Sequence, residues 1–259
     1  MIIHTELRDT PLKSPYGLII GSFDGVHLGH RLLLRRLDEL LEEKGTKAII
    51  TFSNHPSTIL KPHQASLSIC SKEHKINLLE DAGVDLLFLL EFTPGLASES
   101  YEEFLTKAKK VFPFEFLVVG KGDAFGQGKQ GDEKRVTELG KKLHFKADYV
   151  EKIKIDGEVV SSGKIRETIQ AGDFKKAAKF LGRPYSVYGP IKVEGQIGRM
   201  DVYGLCLPPE GDYKVWVKRG KMKIPAKAIL SKDDLKLTLE RNTEALNGLN
   251  IEIIFGENE

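Results

Sequence analysis

Cysteine is scarce in this chain of 259 residues: there are two, Cys70 and Cys206, far apart. No CxxC or Cys/His spacing occurs, which argues against a structural zinc site. Two separated thiols fit a reducing compartment better than a single disulfide. An excess of one charge is also missing, because 39 Lys and Arg face 37 Asp and Glu, a net +2. There is therefore no global basic field of the kind nucleic-acid binders use. Long apolar runs are absent too. The most apolar stretch, Val84 to Phe92, is broken by Asp85 and Glu91 and falls far short of the ~20 residues a membrane span needs. The first nine residues lack a basic region followed by an apolar one, so no signal peptide is expected. Walker A, GxSxG and HExxH patterns do not occur, which removes several common enzyme classes. The expectation is a cytoplasmic protein that engages neither membrane nor nucleic acid.

What is present suits a globular chain: 41% hydrophobic and 29% charged residues. Apolar runs alternate with helical patterns through the first two-thirds. Strands are predicted at Gly17–Ile20, Lys47–Phe52, Asp85–Leu90 and Glu115–Val119. Helices are predicted from Leu32 to Leu41, from Ser71 to Ala82 with Ser71 as N-cap, from Ser98 to Lys110, and from Ser162 to Phe180. That alternation is the pattern of an α/β, Rossmann-like parallel sheet. After Leu181-Gly182-Arg183-Pro184 the chain turns to short β-rich runs parted by Gly, Pro and Asp, which suggest a small β-barrel or sandwich. The boundary is placed at 182, giving domains 1–182 and 183–259.

The chemistry concentrates in Gly21-Ser22-Phe23-Asp24-Gly25-Val26-His27-Leu28-Gly29-His30, between the first strand and the first helix. In an open parallel sheet, ligands sit beyond the carboxyl ends of strands. A helix N-terminus there supplies N–H groups and a positive dipole end for phosphate. His27 and His30 are spaced to face one side of a first helical turn, where imidazoles stabilise developing charge on phosphate. Gly29 lets a phosphate or nucleotide approach the backbone. A bare HxxH would more often be two unrelated surface histidines; HxGH after a Gly-flanked strand end is much more specific.

This decad resembles the signature of the HxGH nucleotidyltransferases, and in its fuller form that of the bacterial bifunctional riboflavin kinase/FAD synthetase family. Thr51-Phe52-Ser53-Asn54-His55-Pro56, Ser161-Ser162-Gly163-Lys164-Ile165-Arg166 and Leu181-Gly182-Arg183-Pro184-Tyr185 match further family segments in the same order, so the resemblance spans about residues 15 to 200. It implies an FMN adenylyltransferase, an FAD synthetase that joins FMN to the AMP of ATP and releases pyrophosphate, with magnesium accompanying ATP. It implies catalytic roles for His27, His30, Ser162 and Arg166. ATP contacts are implied for Gly21, Ser22, Phe23, Asp24, Gly25 and Gly29, and a flavin border for His55 and Pro56. Ser162 is also read as the cap of the helix that follows, and Arg166 as a cation for phosphate. No metal ligand is assigned to the protein, and the sequence leaves its oligomeric state open.

The chain departs from that family in three places. Gly163 stands where a Thr is usual. A Gly-rich loop from Gly120 to Gly131 carries its Asp, Asp123, one position late. In the second half, Gly198-Arg199 is followed by Met200-Asp201-Val202-Tyr203-Gly204-Leu205-Cys206 instead of the family's Pro-Thr-Ala-Asn kinase segment. A truncated, kinase-like β domain without kinase activity is therefore expected, with Asp201 and Glu240 or Glu244 as the only evident replacements. Two alternatives stand beside the leading reading: an HxGH enzyme with another acceptor, and a catalytically silent flavin- or nucleotide-binding regulator.

Overall fold

The computed structural model describes residues 1–232, 234–239 and 244–256. The chain groups into two compact units, each assembled from separate segments. The first comprises Met1–Phe23, Gly29–Ser66 and Leu78–Ile153. It holds a sheet of strands β1 (Ile2–His4), β2 (Tyr16–Ile20), β3 (Thr46–Phe52), β4 (Leu86–Leu90), β5 (Phe116–Gly120) and β6 (Lys146–Val150) in the order β1-β4-β3-β2-β5-β6. Every pairing is parallel. Strand β2 lies between β3 and β5, so the chain leaves it on one side first and on the other later. That is the topological switch point, where an open sheet leaves a crevice at its carboxyl edge. The decad begins at the end of β2.

The strands form where the sequence is continuously apolar. Every residue of β4 is buried, as expected when a parallel strand is covered on both faces. Leu18, Ile50, Phe88, Leu117 and Phe114 join Leu105 and Phe112 in one core cluster. The helices are α1 (Leu28–Leu40), α2 (Ser57–Leu60), α3 (Lys72–Asp81), α4 (Pro94–Ser98), α5 (Tyr101–Val111), α6 (Glu133–Leu143), α7 (Ser162–Gln170) and α8 (Phe174–Leu181). Helix α3 starts as expected, with the Ser71 hydroxyl accepting from the His74 amide at 3.1 Å. Helix α5 starts later than the expected Ser98, because Ser100 and Glu103 close a capping box. Strand β1, helix α6 and strand β6 are additions to the sequence reading. β1 has only three residues, and no residue of β6 is fully buried, so neither leaves an apolar run to detect.

The second unit comprises Asp24–Leu28, Leu67–Asn77 and Lys154–Glu259. The expected helix from Ser162 to Phe180 is two helices. Gly172 takes a left-handed φ of 72°, and the Asp173 carboxylate caps α8 by accepting from the Lys176 amide at 2.9 Å. After a short hairpin of β7 (Lys154–Ile155) with β8 (Glu158–Val159) and the two helices, the chain builds a closed antiparallel barrel. Its strands are β9 (Ser186–Glu194), β10 (Ile197–Asp201), β11 (Gly211–Arg219), β12 (Met222–Ser231), β13 (Asp234–Leu239) and β14 (Asn250–Phe255), ordered β10-β13-β12-β11-β14-β9. Closure, not a two-sheet sandwich, removes the open edges.

Gly45, ahead of β3, is a packing constraint. A Cβ there would lie 2.2 Å from the Pro15 carbonyl oxygen and 2.8 Å from Leu41 Cδ2. Backbone cannot move aside as a side chain can. Gly45→Ala is expected to destabilise the fold by about 1–3 kcal/mol. It should lower the urea midpoint at unchanged m-value; an unchanged midpoint would show that the 15–45 contact yields freely.

Candidate active site

The decad is divided between the two units. Gly21 to Phe23, Gly29 and His30 belong to the first, Asp24 to Leu28 to the second. Gly21 follows β2, its amide donating to the Ile50 carbonyl at 3.1 Å, and the Ser22 carbonyl accepts from the Thr51 hydroxyl at 3.0 Å. The backbone then enters the left-handed region at Phe23 (φ 49°), Gly25 (φ 77°) and Val26 (φ 40°). Only glycine does so readily. A bulky Phe and a β-branched Val there are held by their surroundings, a condition found most often at functional loops. Phe23 is fully buried, its ring 4.7 Å from the His30 ring. At Gly25 a Cβ would come within 2.7 Å of Ile69 Cγ2, so that position excludes other residues for packing as well as conformation.

Asp24 is the anchor of the loop. It is 2% exposed, and its two carboxylate oxygens have different partners. Oδ1 accepts from the Ile69 amide at 2.8 Å, and Oδ2 accepts from Arg166 Nη2 at 2.6 Å. Arg166 Nε donates to the Leu67 carbonyl at 2.7 Å. The structure thus brings Asp24 and Arg166 together as an ion pair, with the carboxylate buried and the guanidinium partly exposed. Ser162 joins them, its hydroxyl donating to the Asp24 carbonyl at 3.3 Å. It is the first residue of α7, whereas the cap is Ser161, which accepts from the Lys164 amide at 3.3 Å. The expectation that Ser162 caps this helix is corrected accordingly; its hydroxyl is turned to the loop instead. Gly163 follows in the first turn of α7.

His27 immediately precedes α1 and is 6% exposed. Burial, then the positive charges of Arg183 and Arg166, push its imidazole from 6.5 down to about 4. It is neutral at physiological pH, and so offers one N–H donor and one acceptor in place of a cation. His30 lies within the first turn of α1, with Gly29 before it. His55 follows β3. Its Nδ1 accepts from the Ser57 amide at 3.2 Å and lies 2.7 Å from the Ser57 hydroxyl, and Pro56 is the N-cap of α2. The Gly-rich loop is pinned by a Phe125–Gly131 bridge and by the Gln127 amide donating to the Glu99 carbonyl at 2.8 Å. Among the described residues no three His, Cys, Asp or Glu side chains gather as a metal centre, and no helix is long and apolar enough to cross a membrane.

Arg183 was not legible as a site residue. Its Nη2 donates to the Gly25 carbonyl at 2.8 Å and its Nη1 to the Val26 carbonyl at 3.4 Å. The only signal was the Gly-Arg-Pro junction. Residues 67–70 were likewise invisible: besides Leu67 and Ile69, Cys70 Sγ accepts from the Gly25 amide at 3.2 Å.

Comparison with known proteins decides the family. The FAD synthetase family model matches residues 10–164, more than half of the chain. The chain belongs to the FAD synthetase family. It is 31% identical over 214 residues to the FAD synthetase of Listeria monocytogenes, a match covering 82% of this chain and 86% of that protein. It is 32% identical over 225 residues to the bifunctional riboflavin kinase/FMN adenylyltransferase of Bacillus subtilis, covering 82% of this chain and 70% of that protein. A crystal structure titled macrolide-efflux protein, from Streptococcus pneumoniae, superposes with a TM-score of 0.81 over 98% of this chain and 88% of its own, at 23% identity. That likeness establishes the fold shared by this FAD synthetase family member and says nothing of activity.

His74, in α3, is a second neutralised histidine. It is 3% exposed, and burial followed by Arg183 pushes it to about 4 against the opposing pull of Glu252, whose Oε1 is 3.9 Å away. Unfolding returns both His27 and His74 to 6.5, so between 6.5 and about 4 the unfolded chain binds more protons. Stability is therefore full above 6.5, falls as pH drops toward 4, and loses no more from these groups below that. Each histidine accounts for at most roughly 3 kcal/mol of the fall. His74→Gln is expected to flatten the decline, measured by urea unfolding across that range; equal slopes would show that His74 titrates ordinarily in the folded state.

Proposed function

We propose that this chain is an FMN adenylyltransferase that lacks riboflavin kinase activity, with transfer carried by residues 1–182. The observation that carries the reading is the run of left-handed residues Phe23, Gly25 and Val26, which follows strand β2 along the chain and leads to His27 and His30, in a member of the FAD synthetase family. A phosphate oxygen of FMN attacks the α-phosphorus of ATP. The bond to the β-phosphate oxygen breaks, FAD forms and pyrophosphate leaves. No protein nucleophile is needed, so the chain contributes positioning and charge stabilisation. His27, neutral as it stands, donates an N–H to a phosphate oxygen, and His30 assists from the first turn of α1. Ser162 and Arg166 hold the β- and γ-phosphates. Gly21, Ser22, Phe23, Asp24, Gly25 and Gly29 shape the nucleotide site, with Asp24 acting through Arg166. His55 and Pro56 border the flavin. Magnesium arrives as the ATP complex, coordinated mainly by phosphate oxygens and water. Cys70 and Cys206 are free buried thiols, which supports a reducing, cytoplasmic setting.

Purified protein with FMN and Mg-ATP is expected to yield FAD and pyrophosphate. His27→Ala and His30→Ala should each cut kcat by roughly 10²–10³-fold with smaller effects on KM. No FAD from the unaltered protein ends the reading, and a variant with unchanged kcat removes its residue from catalysis.

The barrel supports the second half of the reading. A kinase must hold triphosphate and magnesium with placed oxygen ligands. Here Met200 and Asp201 complete β10, the Asp201 carboxylate accepts from the Tyr203 amide at 3.0 Å, and the next turn is bonded to Ser68 through Gly204 and Cys206. Glu244 sits in a 3₁₀ turn, and Glu240 lies outside the described residues. Riboflavin with Mg-ATP is expected to give no FMN. FMN formation abolished by Asp201→Ala but not by His30→Ala would show that the barrel is a rewired kinase.

A further inference from the structure

The loop from Asp24 to Val26 is gripped from two directions within the second unit. One grip is the Asp24 carboxylate, held by Arg166 and the Ile69 amide. The other is Arg183, just past the left-handed end of α8 at Gly182. Its guanidinium faces two consecutive carbonyls, Gly25 at 2.8 Å and Val26 at 3.4 Å. These are the carbonyls of the two left-handed residues that lead directly into His27. A β-branched residue at positive φ does not hold that conformation by itself, and so an external restraint is required. A planar fork with donors at fixed separation suits two adjacent carbonyls; a single ammonium on a flexible stem does not.

The restraint is itself braced. The neighbouring Tyr185 is 1% exposed and donates its hydroxyl to the Cys206 carbonyl at 2.6 Å. The Cys206 amide donates to the Ser68 carbonyl at 2.7 Å, and Ser68 donates back to the Gly204 carbonyl at 2.9 Å. Ile69, next along, is the residue whose amide holds Asp24. The turn after β10, held by Tyr185 at the entry to β9, is therefore bonded to the same four-residue stretch, 67–70, that supports the loop.

We propose that Arg183 is a positioning residue for adenylyl transfer, clamping the Gly25 and Val26 carbonyls so that the His27 imidazole is presented to the triphosphate in one orientation. This rests on the FMN adenylyltransferase reading above. The clamp has an electrostatic companion. The charged groups acting on His27 are Arg183 and Arg166, both cations, and the Asp24 carboxylate, three residues before it, is paired with Arg166. Arg183 thus also helps to hold His27 in its neutral, N–H-donating form.

Arg183→Lys and Arg183→Ala separate the two effects. In Arg183→Ala, kcat for FAD formation is expected to fall by about 10²-fold, the scale for a misplaced catalytic group, with the KM for ATP and FMN changed much less. Its His27 resonance, followed by NMR without substrates, should titrate above the value of about 4 set in the unaltered protein. In Arg183→Lys the charge is kept and the fork is lost, so the His27 titration should stay low while kcat remains at least about tenfold down. Wild-type kcat in either variant, with the unaltered protein active, overturns the inference alone. So does a loss confined to KM. An unaltered protein that makes no FAD overturns the functional reading and this inference together.

Discussion

A single buried carboxylate organises the loop that leads to His27. Asp24 gives one oxygen to a backbone amide and the other to Arg166, and it has almost no contact with water. A lone carboxylate so placed would be costly; paired with the partly exposed guanidinium and hydrogen-bonded, it becomes tolerable. Removing Arg166 leaves the buried carboxylate without a compensating charge. The pair ties a loop from the early chain to a helix more than a hundred residues later, and the Arg166 contact to Leu67 extends the tie to a third segment. The left-handed conformations of Gly25 and Val26 are sustained within this frame.

The same frame sets the state of His27. Two arginines near a buried imidazole oppose a further positive charge, so the ring stays neutral until strongly acidic conditions. For the adenylyl transfer proposed above, a neutral imidazole at this position would donate a hydrogen bond to phosphate without having to be desolvated as a cation.

The barrel is more than a remnant in these terms. Where a kinase would need free oxygen ligands, the turn after β10 spends its backbone on Ser68, and Tyr185 spends its hydroxyl on Cys206. These are structural commitments, and their beneficiary is the stretch 67–70, which holds Asp24 through the Ile69 amide and Gly25 through Cys70 Sγ. A barrel that lacks kinase activity, as proposed above, and a barrel that supports this stretch are compatible uses of one scaffold.

Much of this was readable in the chain itself. Continuous apolar runs such as Leu86–Leu90 fix buried parallel strands, because only strands covered on both faces tolerate such composition. Ser71 fixed a helix start through local capping, and the order of the decad, His55-Pro56 and Ser162/Arg166 fixed the family. Local signals failed where the determinant was distant. The break at Gly172 and the start at Ser100 depended on capping choices that periodicity does not weigh. Strands β1 and β6 form because neighbours offer unpaired edges, not because their own residues demand it. Which side chain Arg166 meets, that Ser162 turns to the loop instead of capping its helix, and that Arg183 serves the loop at all were decided by tertiary structure. Charge pairing in a poorly solvated interior depends on which segments arrive together, and spacing along the chain carries no record of that.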